Sequence, residues 1–193
     1  EDYHYTGDNY VSDPANDYLN FLMLRPQNFE DDGIAKYPMV VFLHGAGESG
    51  RSWTGRFAYE RIDPRFDNNT KQLTHGGQDH EDAVYRFNPG HYYHFSGFMF
   101  FPQVPHNGAW SSETNTRYII ACIEELIETL PIDPNRIYVH GLSNGGKGTW
   151  NYIMERPDLF AAALPMSAAG GTDLAQLEKI KHIPVWISQG GLD

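Results

Sequence analysis

The sequence predicts an α/β fold with a mainly parallel central sheet flanked by helices. Three short, continuously apolar runs, residues 37–45, 97–102 and 136–141, are typical of strands that are buried on both faces. An amphipathic helical pattern separates the second run from the third, and another helical pattern follows the third run. Strands that alternate with helices in this order favour parallel strands joined by helical crossovers.

The N-terminal part of the chain contains two less regular regions. Residues 1–17 are dominated by Asp, Asn and Tyr and predict an irregular arm. Residues 18–24 alternate enough to predict an outer strand, which Pro26 ends. Residues 51–96 have few long apolar runs and many polar and aromatic residues, so we predict an inserted or lid-like loop region over one end of the sheet.

The C-terminal part contains the regular alternation. Between Glu113 and Leu130 the apolar residues fall on one helical face, and Pro131 ends that helix. The later elements are predicted as a helix over 147–157, a strand within 160–170, a short helix over 173–180 and a final strand over 183–190. With no repeat and no linker, residues 1–193 are expected to form a single domain, one that is C-terminally incomplete.

Composition and charge restrict the possible partners. The formal net charge of −11 argues against nucleic acid or an anionic membrane as the main partner. No stretch approaches 18 consecutive apolar residues, so no membrane span is predicted. The chain begins at Glu1, which is compatible with a mature exported protein or a trimmed chain. We expect a secreted or periplasmic protein, with a cytoplasmic one as the alternative.

The single cysteine, Cys122, excludes an internal disulfide. It lies within an apolar helical pattern, so a buried, unreactive thiol is expected instead of a nucleophile.

A glycine-rich stretch after the strand 136–141 carries the clearest chemical signal. Residues 141–145, Gly-Leu-Ser-Asn-Gly, follow a predicted strand and precede a predicted helix, which is the context of a nucleophile elbow. Such a turn exposes the Ser143 hydroxyl at the carboxyl edge of the sheet. The N-terminus of the next helix then points its N–H groups at an oxyanion formed there. The alternative interpretation is a glycine-rich turn without chemical significance.

These motifs together resemble the α/β-hydrolase fold. Within that superfamily the chain is similar to the esterase branch that includes phospholipase/carboxylesterases, polyhydroxybutyrate-depolymerase-like esterases and predicted bacterial peptidases. The resemblance runs from about residue 19 to the end of the chain. The segments that carry it are YPMVVFLHGAGESG, QLTHGG, FPQVP, GLSNGGKGTW and IPVWISQGGLD.

The resemblance implies a role for each matching residue. Ser143 corresponds to the nucleophile and Asp193 to the acid of a catalytic triad. The backbone N–H groups of Ala46 and Asn144 correspond to the oxyanion hole. His44 shapes the oxyanion loop in this resemblance, in preference to acting as a base.

The chain departs from the family pattern at its C-terminal end. Gln189 stands where the family usually has a histidine, and Asp193 is the last residue. In the family the catalytic histidine follows the acid, so we expect it beyond residue 193. The open alternatives are a base from another segment or a substitute among His75, His80, His91, His94, His106, His140 and His182. We also expect further residues or a partner to cover the C-terminal edge of the sheet.

Several residues near the predicted cleft are candidate substrate contacts. His106, Trp110 and Glu48 are assigned this role, although Glu48 is better suited to bracing the oxyanion loop. Aromatic residues expected to line or roof the cleft are Tyr85, Phe87, Tyr92, Tyr93, Phe95 and Trp110.

Histidine and acidic residues in the insert raise the question of a metal. Residues 75–82 and 91–94 match no standard zinc spacing, and residues 63–69 lack the spacing of a known calcium loop. Solvated surface is the preferred interpretation, so no metal and no cofactor is predicted.

The sequence therefore predicts a serine carboxylic-ester hydrolase that acts through an acyl-enzyme on Ser143. Its substrate would be a small-molecule or polymer-borne ester. A serine peptidase or amidase of the same fold is one alternative. A non-catalytic binding module on a hydrolase scaffold is the other.

Overall fold

A computed structural model describes residues 20–26, 29–46, 96–104, 109–168 and 174–191. The predicted N-terminal arm lies outside these ranges. So does the predicted insert, apart from its last residue, Ser96. That this insert is lid-like and that it binds no metal therefore stay predictions.

The described residues contain a five-stranded sheet in the order β1-β3-β2-β4-β5. Strands β2 to β5 are parallel to one another, and β1 pairs antiparallel with β3 at one edge. The predicted mainly parallel sheet with an outer first strand is thus confirmed. The strands are β1 Asn20–Leu24, β2 Tyr37–Leu43, β3 Phe98–Gln103, β4 Ile132–Leu142 and β5 Ala162–Met166.

Helix α1, Glu113–Thr129, precedes β4 and covers one face of the sheet. It begins after Ser112, whose hydroxyl accepts a hydrogen bond from the Asn115 N–H at 3.2 Å, as an N-cap residue does. It ends at Thr129, and the C-cap residue Leu130 directly precedes Pro131. The predicted apolar stripe is its buried face, with Ile119, Ile123 and Leu126 in the core and Ile127 and Leu130 packed against it.

Helix α2, Asn144–Glu155, follows β4 and begins three residues earlier than predicted. Glycines at positions 145 and 146 lower the intrinsic helix propensity, which is why the sequence pattern places the start at Lys147. Packing against β2, β4 and β5 overrides that propensity.

The main core lies between the helices and one face of the sheet. Val41, Ile137 and Val139 of the sheet join Ile123 of α1 and Ile153 of α2 in a single buried cluster. Alternate strand residues reach the opposite face.

The opposite face carries an aromatic group. The ring of Phe42 lies 5.9 Å from that of Phe101 and 4.6 Å from that of His140.

Cys122 is buried in the main core, as predicted. Burial, together with the nearby Glu125 carboxylate, raises the pKa of the Cys122 thiol to about 12, which supports an unreactive thiol.

Two C-terminal elements differ from prediction. The short helix expected over 173–180 is a 3-10 helix, Leu174–Ile180. The expected final strand runs beside β5 but forms two isolated parallel bridges, Ala163–Val185 and Met166–Ser188. Pro165 and Pro184 lack the N–H that a continuous ladder needs.

No helix in the described ranges has the length and apolar character that crossing a bilayer requires.

Candidate active site

Ser143 occupies the sharp turn between β4 and α2. Its backbone has φ 57° and ψ −110°, in a region that non-glycine residues adopt only under strain. The Ser143 N–H donates to the Met166 carbonyl at 2.9 Å, and the Ser143 carbonyl accepts from the Lys147 N–H at 3.0 Å. Bonds to β5 on one side and to the first turn of α2 on the other therefore hold the strained turn.

The glycines around Ser143 allow backbone to pack directly on backbone. A Cβ at Gly141 would lie 2.5 Å from the Gly145 carbonyl oxygen. A Cβ at Gly145 would lie 1.9 Å from the carbonyl oxygen of Leu43, at the end of β2. Because no side chain fits at these contacts, the first and last positions of the Gly-x-Ser-x-Gly motif require glycine.

The loop that follows β2 lies beside this turn, because Leu43 pairs with Gly141 in the sheet. His44 is buried in this loop, and both of its ring nitrogens are engaged. Nδ1 lies 2.7 Å from the Gly45 carbonyl oxygen, and the Val104 N–H donates to Nε2 at 3.1 Å. Since Nε2 accepts, the ring proton is on Nδ1 and is donated to Gly45.

Burial lowers the pKa of His44 to about 4. The imidazole is therefore neutral at physiological pH. This supports the predicted loop-shaping role over a base role.

The His44 hydrogen bond also sets the direction of the next amide. The described peptide bonds are trans, and in a trans peptide the C=O and N–H point in opposite directions. The Gly45 carbonyl is directed at the buried ring, so the N–H of Ala46 points away from it. Ala46 itself is exposed, and Asn144 is the first residue of α2. One predicted oxyanion donor thus lies in the loop after β2 and the other at the N-terminus of α2, both at the carboxyl edge of the sheet.

Comparison with solved structures shows the superfamily. A thermostable esterase is 34% identical over 91% of this chain, with a TM-score of 0.66. The chain belongs to the α/β-hydrolase superfamily. The profile of the prolyl oligopeptidase family matches residues 112–191, from the N-cap of α1 onward. No relative was found among curated protein sequences.

Two further hydrolases share the fold at lower identity. The fluorophosphonate-binding serine hydrolase F of Staphylococcus aureus is 17% identical over 78% of this chain and 51% of its own, with a TM-score of 0.54. Acetyl xylan esterase from Aspergillus awamori is 17% identical over 82% of this chain and 51% of its own, with a TM-score of 0.52. The present chain covers 44% of the length of the thermostable esterase.

Of the remaining predicted site residues, the structure describes Trp110. Trp110 is fully buried beneath the His44 loop, an arrangement that favours a supporting role over the predicted contact with substrate. Asp193, His106 and Glu48 lie outside the described residues, and their assigned roles stay predictions.

Two of the alternative histidines are described. His140 lies on β4, and its ring contacts that of Phe42 on β2. His182 lies 3.0 Å from the carbonyl oxygen of Pro157, beyond the C-terminal end of α2. Ser143 stands at the other end of that helix, and twelve residues span about 18 Å. His182 is therefore poorly placed to serve as the base.

The structure also shows supports that the sequence did not reveal. Ser167, directly after β5, is a second non-glycine residue with positive φ, at 41°. Its N–H donates to the Ser188 carbonyl at 2.7 Å, next to the Met166 carbonyl that accepts from Ser143. No motif marks Ser167 in the sequence.

In the described ranges, no group of three or more His, Cys, Asp or Glu residues forms a candidate metal site.

Proposed function

We propose that this chain is the catalytic part of a serine carboxylic-ester hydrolase. The observation that carries the proposal is the strained Ser143 turn beside the His44-Gly45-Ala46 loop. A serine is held in unfavourable backbone geometry when surrounding contacts over-determine it, and such strain clusters at active sites. Here the contacts are backbone contacts that bring α2 onto the end of β2.

The proposed reaction begins with attack of the Ser143 hydroxyl oxygen on the ester carbonyl carbon. The hydroxyl proton passes to a general base, which the family resemblance assigns to a histidine that follows the acid in the sequence. The negative charge then develops on the former carbonyl oxygen, where the N–H groups of Ala46 and Asn144 would stabilise it. Collapse breaks the bond to the alcohol oxygen, which leaves with the proton. Water then attacks the acyl-enzyme in the same way and releases the carboxylic acid.

An ester substrate is supported by the 34% identical structure reported above, which is described as a thermostable esterase. The acyl group and the alcohol are left open, and small-molecule and polymer-borne esters are both compatible. A peptidase or amidase is the second candidate, favoured by the match of residues 112–191 to the prolyl oligopeptidase family. Matched ester and anilide substrates with the same acyl group distinguish the two, because an amidase must also protonate a poor amine leaving group.

Fluorophosphonate labelling of the full-length protein tests the proposal. The label is expected on Ser143, located by peptide mass spectrometry, and ester hydrolysis is expected to fall about 10⁴-fold or more in Ser143→Ala. Ser188→Ala is the matched control, because the exposed Ser188 bonds to Pro165 and Ser167 through its backbone and not through its side chain. A full-length protein that neither labels at Ser143 nor hydrolyses esters would favour a binding module.

A further inference from the structure

We propose that Trp110 is a positioning residue for the oxyanion hole, and that it acts through the backbone of His44. The inference rests on the proposed hydrolase function and adds a residue to its machinery. Trp110 lies before α1, 66 residues from His44 in the sequence, and the sequence alone assigns it to substrate contact.

The indole of Trp110 holds the first peptide of the oxyanion loop. Its Nε1–H donates to the His44 carbonyl oxygen at 2.7 Å, and its ring centroid lies 4.7 Å from that of His44. The next carbonyl, that of Gly45, is held by the His44 ring. Two consecutive peptides are therefore fixed before Ala46, so its N–H has a defined direction. The indole fixes the first of these two peptides.

Trp110 is itself tied to both helices. The Thr116 hydroxyl of α1 donates to the Trp110 carbonyl at 3.3 Å, and the Asn151 side-chain amide of α2 donates to that hydroxyl at 2.7 Å. A Cβ at Gly148 would lie only 2.4 Å from the Trp110 Cβ, so the residue packs directly on α2. Helix α2 also begins with Asn144, the second predicted oxyanion donor.

These contacts give Trp110 a specific task. One residue connects the loop that carries the Ala46 donor to the helix that carries the Asn144 donor. An oxyanion hole works because its donors are oriented before charge develops. A fully buried indole N–H that bonds a backbone carbonyl suits this purpose, since leaving such a buried N–H unpaired is costly.

Trp110→Phe tests the proposal, because phenylalanine keeps most of the ring packing and removes the N–H donor. The full-length variant is compared with the wild type on a p-nitrophenyl ester and on the matched thionoester. Sulfur is a weak hydrogen-bond acceptor, so the wild-type preference for the oxo ester reports on oxyanion donors. We expect kcat/KM for the oxo ester to fall about tenfold. KM should change little, and the oxo/thiono preference should shrink.

Trp150→Phe is the matched control. It makes the same substitution in α2 at a half-buried residue that packs against the core. Its oxo/thiono preference should equal that of the wild type. Fluorophosphonate titration gives the concentration of active enzyme in every sample, so that a smaller folded fraction does not alter the comparison.

Thr116→Val is the second variant if Trp110→Phe does not fold. It removes the hydroxyl that holds the Trp110 carbonyl and should lower the oxo/thiono preference by a smaller factor. An unchanged preference in the folded variant, with an active wild type, overturns the role of Trp110 and leaves the proposed function intact. A wild type that neither labels at Ser143 nor hydrolyses esters overturns both.

Discussion

The two ends of helix α2 are held in different ways. At the N-terminal end, backbone meets backbone. The position of a Cβ at Gly145 falls within 1.9 Å of the Leu43 carbonyl oxygen and within 2.8 Å of that of His44. Three residues further on, Gly148 packs against the Cβ of Trp110. The closest contacts of Gly145 at this end of the helix are therefore with backbone atoms.

At the C-terminal end, side chains make the contacts. Ile153 enters the main core, and the Arg156 guanidinium pairs with the carboxylates of Glu124 and Asp158 on the surface. Buried aliphatic side chains repack when their volume changes, and exposed charged groups exchange their partners for water.

The two kinds of contact fix the N-terminal end of α2 more precisely than its C-terminal end. The N-terminal end of α2 carries Ser143 and Asn144, whose positions decide the proposed chemistry. Contacts between backbone groups fix those positions without depending on side-chain rotamers. The C-terminal end needs only to stay attached, so adjustable contacts are sufficient there. Substitutions at the two ends should therefore differ sharply in cost.

Gly145→Ala should have the largest effect. The added methyl group would overlap the Leu43 carbonyl, which can move only with β2 itself. We expect the free energy of unfolding to fall by about 3 kcal/mol or more, together with loss of labelling at Ser143. Urea denaturation measures the change. Gly191→Ala is the control, because a Cβ there meets no atom within 4 Å, and it should stay within about 0.5 kcal/mol of the wild type.

Acidification should lower the free energy of unfolding through His44, which lies in the loop against which α2 packs. The pKa of folded His44 is lowered to about 4 from 6.5, because burial disfavours the imidazolium. Between these values the unfolded chain takes up a proton that the folded chain does not, so stability is complete above pH 6.5 and falls as the pH decreases toward 4. The linked loss is about 3 kcal/mol.

The measurement is urea unfolding from pH 7.5 to pH 4 for the wild type and for His44→Asn. Asparagine keeps an N–H donor near the Gly45 carbonyl but does not titrate in this range. Its stability should decrease less steeply with falling pH. Parallel profiles for the two proteins would contradict the assignment of this pH dependence to His44.

Ile153→Val should show the tolerance of the other end of the helix. Removing one buried methylene leaves a small cavity in the main core and should lower the free energy of unfolding by about 1 kcal/mol. The kcat for ester hydrolysis should remain at the wild-type value, because the elbow contacts are unchanged. A large loss of kcat in a folded variant would show that the two ends of α2 are coupled.

Arg156→Met should have the smallest effect. The ion pairs with Glu124 and Asp158 are partly exposed, and water and salt screen such pairs. The expected loss of stability is below about 1 kcal/mol at low salt and smaller at 1 M NaCl. Thermal denaturation at the two salt concentrations measures both. A salt-independent loss would point to lost packing of the arginine stem.

Sequence patterns predicted those elements whose signal is local. Strands β2 and β3 are short apolar runs, and α1 has an apolar stripe bounded by Ser112 and Pro131. The Gly-x-Ser-x-Gly motif located the elbow because it lies between a strand and a helix. Predictions were less accurate for elements whose extent depends on tertiary packing. Helix α2 starts within a glycine-rich stretch, and the strand predicted over 183–190 forms two isolated bridges to β5, because Pro165 and Pro184 interrupt the ladder.

Hydrophobic periodicity and a short motif, which are properties of adjacent residues, were enough to predict the class of fold and the position of Ser143. The family resemblance implied that the loop after β2 is its neighbour. The folded structure was needed to show that both ring nitrogens of His44 are hydrogen-bonded and that Trp110 is buried against this loop. The hydrogen bonds from Val104 to His44 and from Trp110 to His44 join residues 60 and 66 positions apart. No periodicity encodes which distant carbonyl an indole N–H will meet, because packing of the sheet and helices brings the two groups together.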